Sequence, residues 1–282
     1  MLAEHFSAYT QWRGNVASGI GELRKWLQLN EIGDAQSDLR LQYLLDRLRE
    51  DKLIVAFVAE FSRGKSELIN AVFFAGYGNR ILPSSAGRTT MCPTELQWKD
   101  GDKPEIRLLP IESRKTNASI TELKRYPEEW QIRPLDTSSA ESLQQALAQV
   151  GETRLASQTE AEELGFPIDA SGDHGIRPDA EGQLEIPRWR HAIIQFPHPL
   201  LEQGLVILDT PGLNAIGAEP ELTLNLLPNA HAVLFILAAD TGVTQSDLAV
   251  WREHVNAGRR QRGRIVALNK IDDLWDGLRS ED

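Results

Sequence analysis

Hydrophobic positions fall into three patterns along the chain. Over residues 1–30, Leu2, Phe6, Tyr9, Trp12, Val16, Ile20, Leu23 and Leu27 recur at steps of three and four, the spacing of one apolar stripe on a long helix. Such a stripe needs a partner, and Leu39, Leu41, Tyr43, Leu44, Leu45 and Leu48 predict a second helix over about 36–50 that can supply part of it. The second pattern is the unbroken apolar run: Leu53 to Ala59, Leu205 to Leu208, Ala232 to Ala239 and Ile265 to Leu268. Runs this short, without alternation, predict strands of a parallel sheet buried on both faces. The third pattern is mixed. Residues 94–98 and 105–112 read as two strands joined by a turn at Lys99 to Asp102, 113 to about 165 as a largely helical insertion, and 169–182 as a loop.

The ends of the apolar runs carry the chemistry. After Ala59 the chain reads Glu60-Phe61-Ser62-Arg63-Gly64-Lys65-Ser66-Glu67, followed by Leu68, Ile69 and Val72 at helical spacing. Strand, tight loop and helix in that order form a phosphate cradle, because loop N–H groups and the helix N-terminus converge on an anion. Gly64 lets the backbone approach closely. Lys65 is expected to reach the β and γ phosphates and the Ser66 hydroxyl to ligate Mg²⁺. Ala59 stands where the usual phosphate-loop pattern has glycine, a small departure at the end of the loop remote from the charge and metal ligands.

Two further run ends match. Asp209 closes the strand Leu205 to Leu208 and is followed by Thr210-Pro211-Gly212, so its carboxylate is expected at the carboxyl edge of the sheet. There it can hold Mg²⁺ through water, with the Gly212 N–H donating to a γ-phosphate oxygen. The last run ends in Asn269-Lys270-Ile271-Asp272. An aspartate there accepts from N1–H and the 2-amino group of guanine, whereas adenine would leave it unpaired at a cost of about 1–3 kcal/mol. Asp272 therefore argues for GTP over ATP. Between the motifs, Ile81 to Thr94 is a polar segment where a threonine can sense the γ-phosphate; Thr90 is the first candidate and Thr89 the second.

Composition narrows the partners. A formal net charge of −11 and a pI near 5.1 oppose general affinity for nucleic acid or anionic lipid, so phosphate binding must be local. The single cysteine, Cys92, excludes an internal disulfide and reads as a small buried filler in a reducing cytoplasm. Neither a signal segment nor a membrane-length apolar stretch is present in the sequence given. Asp169, Ser171 and Asp173 are spaced like a calcium loop, but His174 stands where the invariant glycine belongs, and the loop is rejected as one.

Three motifs in this order, each ending an apolar strand, resemble GTPases. Glu60 to Ser66, Arg88-Thr-Thr-Met-Cys-Pro-Thr-Glu95 and the segment from Pro199 through Asp209-Thr-Pro-Gly-Leu213 are similar to the bacterial branch of the dynamin-like large GTPases, over about residues 50–275. The resemblance implies an α/β fold: a P-loop GTPase domain with a mostly parallel central sheet flanked by helices, over 51–282, with an insertion at about 113–188. Neck-type helices over 1–50 would precede it. It implies catalysis by Ser62, Lys65 and Thr90, with Ser66, Thr90 and Asp209 toward the metal and Asn269, Lys270 and Asp272 toward the base. Ser62 matches a serine that helps hold a monovalent cation in dynamins, while Phe61 and Arg63 beside it depart from that pattern. Pairing of two G domains, in a homo- or hetero-dimer, is implied as the accelerating event.

Too few residues follow Asp272 for the last strand, base-contacting loop and helix of a G domain, or for a trunk and lipid-binding tip. The chain is expected to be the front of a longer protein or a truncated product. Membrane contact, at the inner membrane, would then belong to regions beyond it. Two readings follow: the catalytic front half of a membrane-remodelling GTPase, or a non-catalytic nucleotide-binding remnant that works with another polypeptide.

Overall fold

The computed structural model describes residues 2–49, 52–60, 62–82, 92–99, 101–116, 118–166, 178–211, 226–227, 230–255 and 263–274. Two helices open the chain, α1 (Leu2–Leu29) and α2 (Ala35–Arg49). Positive φ at Glu31 (54°) and Gly33 (113°) turns the chain between them. They pack together and are stapled by Arg24, whose Nε and Nη2 donate to the two carboxylate oxygens of Asp38 at 2.6 and 2.7 Å. The stripe on α1 is only partly covered: Val16, Ile20 and Leu27 are half-buried, while Tyr9, Trp12 and Leu23 remain exposed.

The body is an eight-stranded sheet. Its strands are β1 (Leu53–Ala59), β2 (Thr94–Gln97), β3 (Glu105–Pro110), β4 (Gln131–Pro134), β7 (Trp189–Gln195), β8 (Leu205–Asp209), β9 (Ala232–Ala238) and β10 (Arg264–Asn269). They lie in the order β10-β9-β1-β8-β2-β7-β3-β4. The pairs β10·β9, β9·β1, β1·β8 and β2·β7 are parallel, the other three antiparallel. A two-stranded sheet of β5 (Thr153–Ala156) and β6 (Leu184–Pro187) stands beside it with its own core of Ile111, Ala161, Leu164 and Phe166.

The absence of alternation in β1 has the physical basis expected of it. Leu53, Val55, Phe57 and Ala59 face one hydrophobic cluster, and Ile54, Ala56 and Val58 face another on the opposite side. Helix α3 (Lys65–Phe73) buries Ile69 and Phe73 against the first cluster. The expected Val72 is instead 42% exposed, because the buried stripe runs through Lys65, Ile69 and Phe73.

Three expectations are corrected. Strand β10, expected to be buried on both faces, lies at the end of the strand order and leaves Ile265, Val266 and Leu268 more than half exposed, because nothing among the described residues covers its outer side. The Lys99 to Asp102 turn forms, with the Asp102 amide donating to the Lys99 carbonyl at 3.0 Å, yet β2 and β3 do not pair. Strand β7, buried along its whole length, enters between them, parallel to β2 and antiparallel to β3. The insertion over 113–188 is also less helical than its pattern suggests. It holds β4, β5 and β6 besides the short helices α4 (Ile120–Leu123), α5 (Ala140–Ala148) and α6 (Gln158–Glu163), because four-residue strands leave too little length for alternation to register. The acidic loop at Asp169, Ser171, Asp173 and His174 lies outside the described residues. Cys92 is buried, as a filler should be. Among the described residues no helix is long and apolar enough to cross a membrane.

One buried charge cluster ties the insertion to the sheet. Glu95 on β2 accepts from Nζ of Lys124 through both oxygens, at 2.6 and 2.7 Å, and lies 3.1 Å from Nε2 of His191 on β7. Burial alone would raise its pKa, but the Lys124 and His191 partners outweigh that and hold it far below the carboxylate range. The folded-state pKa is thus the lower one, so this stabilisation is full above about pH 5 and declines as pH falls toward the folded-state pKa. Glu95→Gln is expected to lower unfolding free energy by about 2–3 kcal/mol near pH 7, less than a fully buried pair because Lys124 reaches water. Urea unfolding of both proteins from pH 7 down to pH 3 should show the gap narrowing in acid.

Candidate functional site

Strands β1, β8, β9 and β10 run parallel, so their carboxyl ends share one edge of the sheet. Phe57 stands opposite Asp209 and Ala238 opposite Asn269, which sets the register of that edge. Loops leaving such an edge gather around a common crevice.

The first of these loops leaves β1. Ser62 takes φ 61° and Gly64 φ 82°, and helix α3 begins at Lys65. First-turn amides of α3 have no intrahelical acceptor, so they present positive partial charge to the crevice. Lys65, the first residue of α3, donates from Nζ to Oδ1 of Asp209 at 2.6 Å, and both side chains are buried. Thr210 is also buried and donates from Oγ1 to the Phe57 carbonyl at 2.8 Å, pinning the start of the next loop to β1.

The base-reading loop touches the phosphate loop directly. Nδ2 of Asn269 donates to the Arg63 carbonyl at 2.9 Å. A β-carbon on Gly64 would collide with that Nδ2, so glycine is required here for the contact as well as for its positive φ. Lys270 adopts φ 55° and donates from Nζ to Asp240 at 2.9 Å, a bond that lowers the Asp240 pKa. The Asn269 carbonyl accepts from the Ala239 amide at 2.9 Å. Asp272 follows in the short helical turn Ile271–Leu274 and is exposed.

Of the residues singled out in the sequence, Lys65 and Asp209 are thus joined, and Asn269 is bonded to the phosphate loop. Ser66 and Glu67 are half-buried in the first turn of α3, and Ser62 is exposed. Phe61, Thr89, Thr90 and Gly212 lie outside the described residues. Glu60 and Arg63 are paired with each other at 2.8 Å. Sequence reading passed over three residues that shape the site: Asp240, Thr244 and Asp247. A signal existed for two of them, since Thr244 and Asp247 have the spacing of a capping box, and they form one at the start of α8 (Gln245–Val250). Hard oxygen donors of the kind Mg²⁺ prefers, the Ser66 hydroxyl and the Asp209 carboxylate, come from the two elements that Lys65 bridges.

Gly64→Ala is expected to destabilise the fold by about 1–3 kcal/mol through its positive φ. It should also release the Asn269 amide from the Arg63 carbonyl, seen as lost protection of that side-chain NH₂ in NMR spectra.

The profile of the dynamin family matches residues 55–271. A bacterial dynamin-like protein of Nostoc punctiforme is 29% identical over 101 residues, 36% of this chain and 14% of that protein. Dynamin-like protein A of Bacillus subtilis is 22% identical over 222 residues, 73% of this chain and 18% of that one. The chain therefore spans less than a fifth of either relative. Among solved structures, a chain from an oligomerised bacterial dynamin pair, described as sensing and tethering membranes over long range, aligns at 18% identity and a TM-score of 0.47, covering 93% of this chain and 33% of its own. A match running from inside β1 to just past β10 takes in the phosphate loop, Asp209 and Asn269 together, and the chain belongs to the dynamin family.

Proposed function

We propose that the chain binds GTP with Mg²⁺ and hydrolyses it to GDP and phosphate by in-line attack of water on the γ-phosphate. The observation that carries this reading is the convergence of Lys65, Asp209 and Asn269 at one sheet edge, with Lys65 on Asp209 and Asn269 on the phosphate loop. Without nucleotide, the Lys65 ammonium and the Asp209 carboxylate neutralise each other. A triphosphate offers Lys65 a more highly charged partner, and the amides of the first turn of α3 add donors in the same direction. Mg²⁺, held by Ser66 and through water by Asp209, would neutralise phosphate charge when bound. Thr90 orients the attacking water, Ser62 lies beside the developing charge, and the Gly212 N–H donates to the γ-phosphate. Asp272 reads the N1–H and 2-amino group of guanine. Dimerisation through two such domains, and membrane remodelling through regions beyond this chain, are the wider roles that family membership supports.

A second reading, a domain completed by another polypeptide segment, is favoured by one observation. Ile265, Val266 and Leu268 on the edge strand β10 are each more than half exposed. The two readings separate on turnover: the second allows nucleotide binding without phosphate release by this chain alone.

Titration with a fluorescent GTP analogue is expected to show binding that GDP competes and ATP does not. Lys65→Ala should weaken it by at least ~10-fold, one charge-assisted bond having been lost. Asp272→Asn exchanges an acceptor for a donor and should move preference from GTP toward XTP, whose base carries an oxygen in place of the 2-amino group. Equal competition by ATP, or an Asp272→Asn protein with unchanged preference, would contradict the assignment.

A further inference from the structure

Arg63 belongs to the phosphate loop, yet its side chain is turned into the protein and the residue is only 3% exposed. Nη2 donates to Oε2 of Glu60 at 2.8 Å and to Oδ2 of Asp247 at 3.0 Å. Asp247 is 1% exposed, and the same oxygen accepts from the amide and the hydroxyl of Thr244, both at 2.9 Å. The Thr244 hydroxyl also lies 3.3 Å from Oε2 of Glu60. On the main-chain side, the carbonyl of the same arginine takes the Asn269 amide. One residue thus touches the phosphate loop, the cap of α8 and the base-reading loop.

Stability is a poor explanation for this cluster. It buries one guanidinium with two carboxylates, and both Arg63 Nε and Asp247 Oδ1 lack a hydrogen-bond partner among the described residues. Apolar side chains of similar volume would hold the same space without that desolvation cost. What one charged nitrogen shared between two carboxylates does provide is a fixed point joining the two, which an apolar residue does not give. Contact with phosphate is a poorer fit, since the arginine would have to leave both carboxylates to make it.

We propose that Arg63 is a positioning residue: held by Glu60 and Asp247, it locks the phosphate loop onto the cap of α8. That lock keeps the residue 63 carbonyl where Asn269 meets it, so phosphate grip and base recognition act as one rigid unit. It follows that Asp247, on an element outside the nucleotide motifs, governs nucleotide affinity, and that movement of α8 is felt at the phosphates. The proposal rests on the GTP reading above.

The test is the affinity of fluorescent GDP, and the preference for GDP over ADP, in Arg63→Gln, Asp247→Asn, their double variant and Arg63→Lys, with folding checked by circular dichroism. Each single change is expected to weaken GDP by ~10- to 100-fold, the loss of about one or two charge-assisted hydrogen bonds from a displaced loop, and to erode the preference for GDP. The double variant should bind no worse than the weaker single one, and Arg63→Lys should recover part of the loss. A folded Arg63→Gln protein with wild-type affinity and preference overturns the proposal alone. So do strictly additive losses, or unfolding of both single variants at the assay temperature, which would make the pair an element of folding only. Wild-type protein that binds no guanine nucleotide overturns the functional reading, and the lock with it.

Discussion

An ammonium and a carboxylate cannot both be buried at the end of a sheet unless they meet, and Lys65 and Asp209 meet at 2.6 Å. Leaving either charge alone there would cost about 3–5 kcal/mol. The pair therefore constrains more than two side chains. It fixes where α3 begins relative to the end of β8, and so where the phosphate loop turns. Because Phe57 and Asp209 are partners in the ladder, any slip of β1 against β8 would pull the charges apart. Strand register, loop geometry and charge compensation are one condition.

The neighbouring strands extend that condition toward the base. β9 lies on the other side of β1, and β10 beyond it, both parallel to β1. Asn269 consequently emerges on the edge from which Gly64 departs, and the missing Cβ of Gly64 lets the two loops close on each other. On the far side of β8, the direction of the sheet changes at β2. The buried Glu95 and His191 there, with Lys124 reaching in from the surface, fasten the insertion to the strand that leads out of the polar segment holding Thr90. Charged groups are thus buried at the carboxyl end of β8 and on its neighbour β2, and Asp209 and Glu95 are each compensated by named partners.

How far the sequence reveals all this depends on how local each cause is. β1, β8 and β9 were legible because burial leaves an uninterrupted apolar run, and β10 because its run is as continuous although its edge position leaves Ile265, Val266 and Leu268 more than half exposed; the residues ending those runs were legible because their chemistry demands particular types. The place of strand β7 between β2 and β3 was not legible. Nothing local distinguishes a hairpin turn from a turn whose strands are later separated, and the polar His191 and Gln195 on a fully buried strand obscure its centrality. The short strands of the insertion fell below the length at which periodicity speaks. Arg63 and Asp247 are far apart in sequence, and no spacing announces that a phosphate-loop arginine and a helix cap are partners; only the capping pattern at Thr244 hinted at one half of it.

The measurement that bears most directly on the shared crevice is a crystal structure of the protein with a non-hydrolysable GTP analogue and Mg²⁺. The account expects Lys65 to have left Asp209 for the β and γ phosphates, the first turn of α3 to face the same phosphates, and the Asp272 carboxylate to lie against the guanine edge. A nucleotide bound elsewhere, or one bound at this edge while Lys65 stays on Asp209 and the base turns away from Asp272, would contradict it.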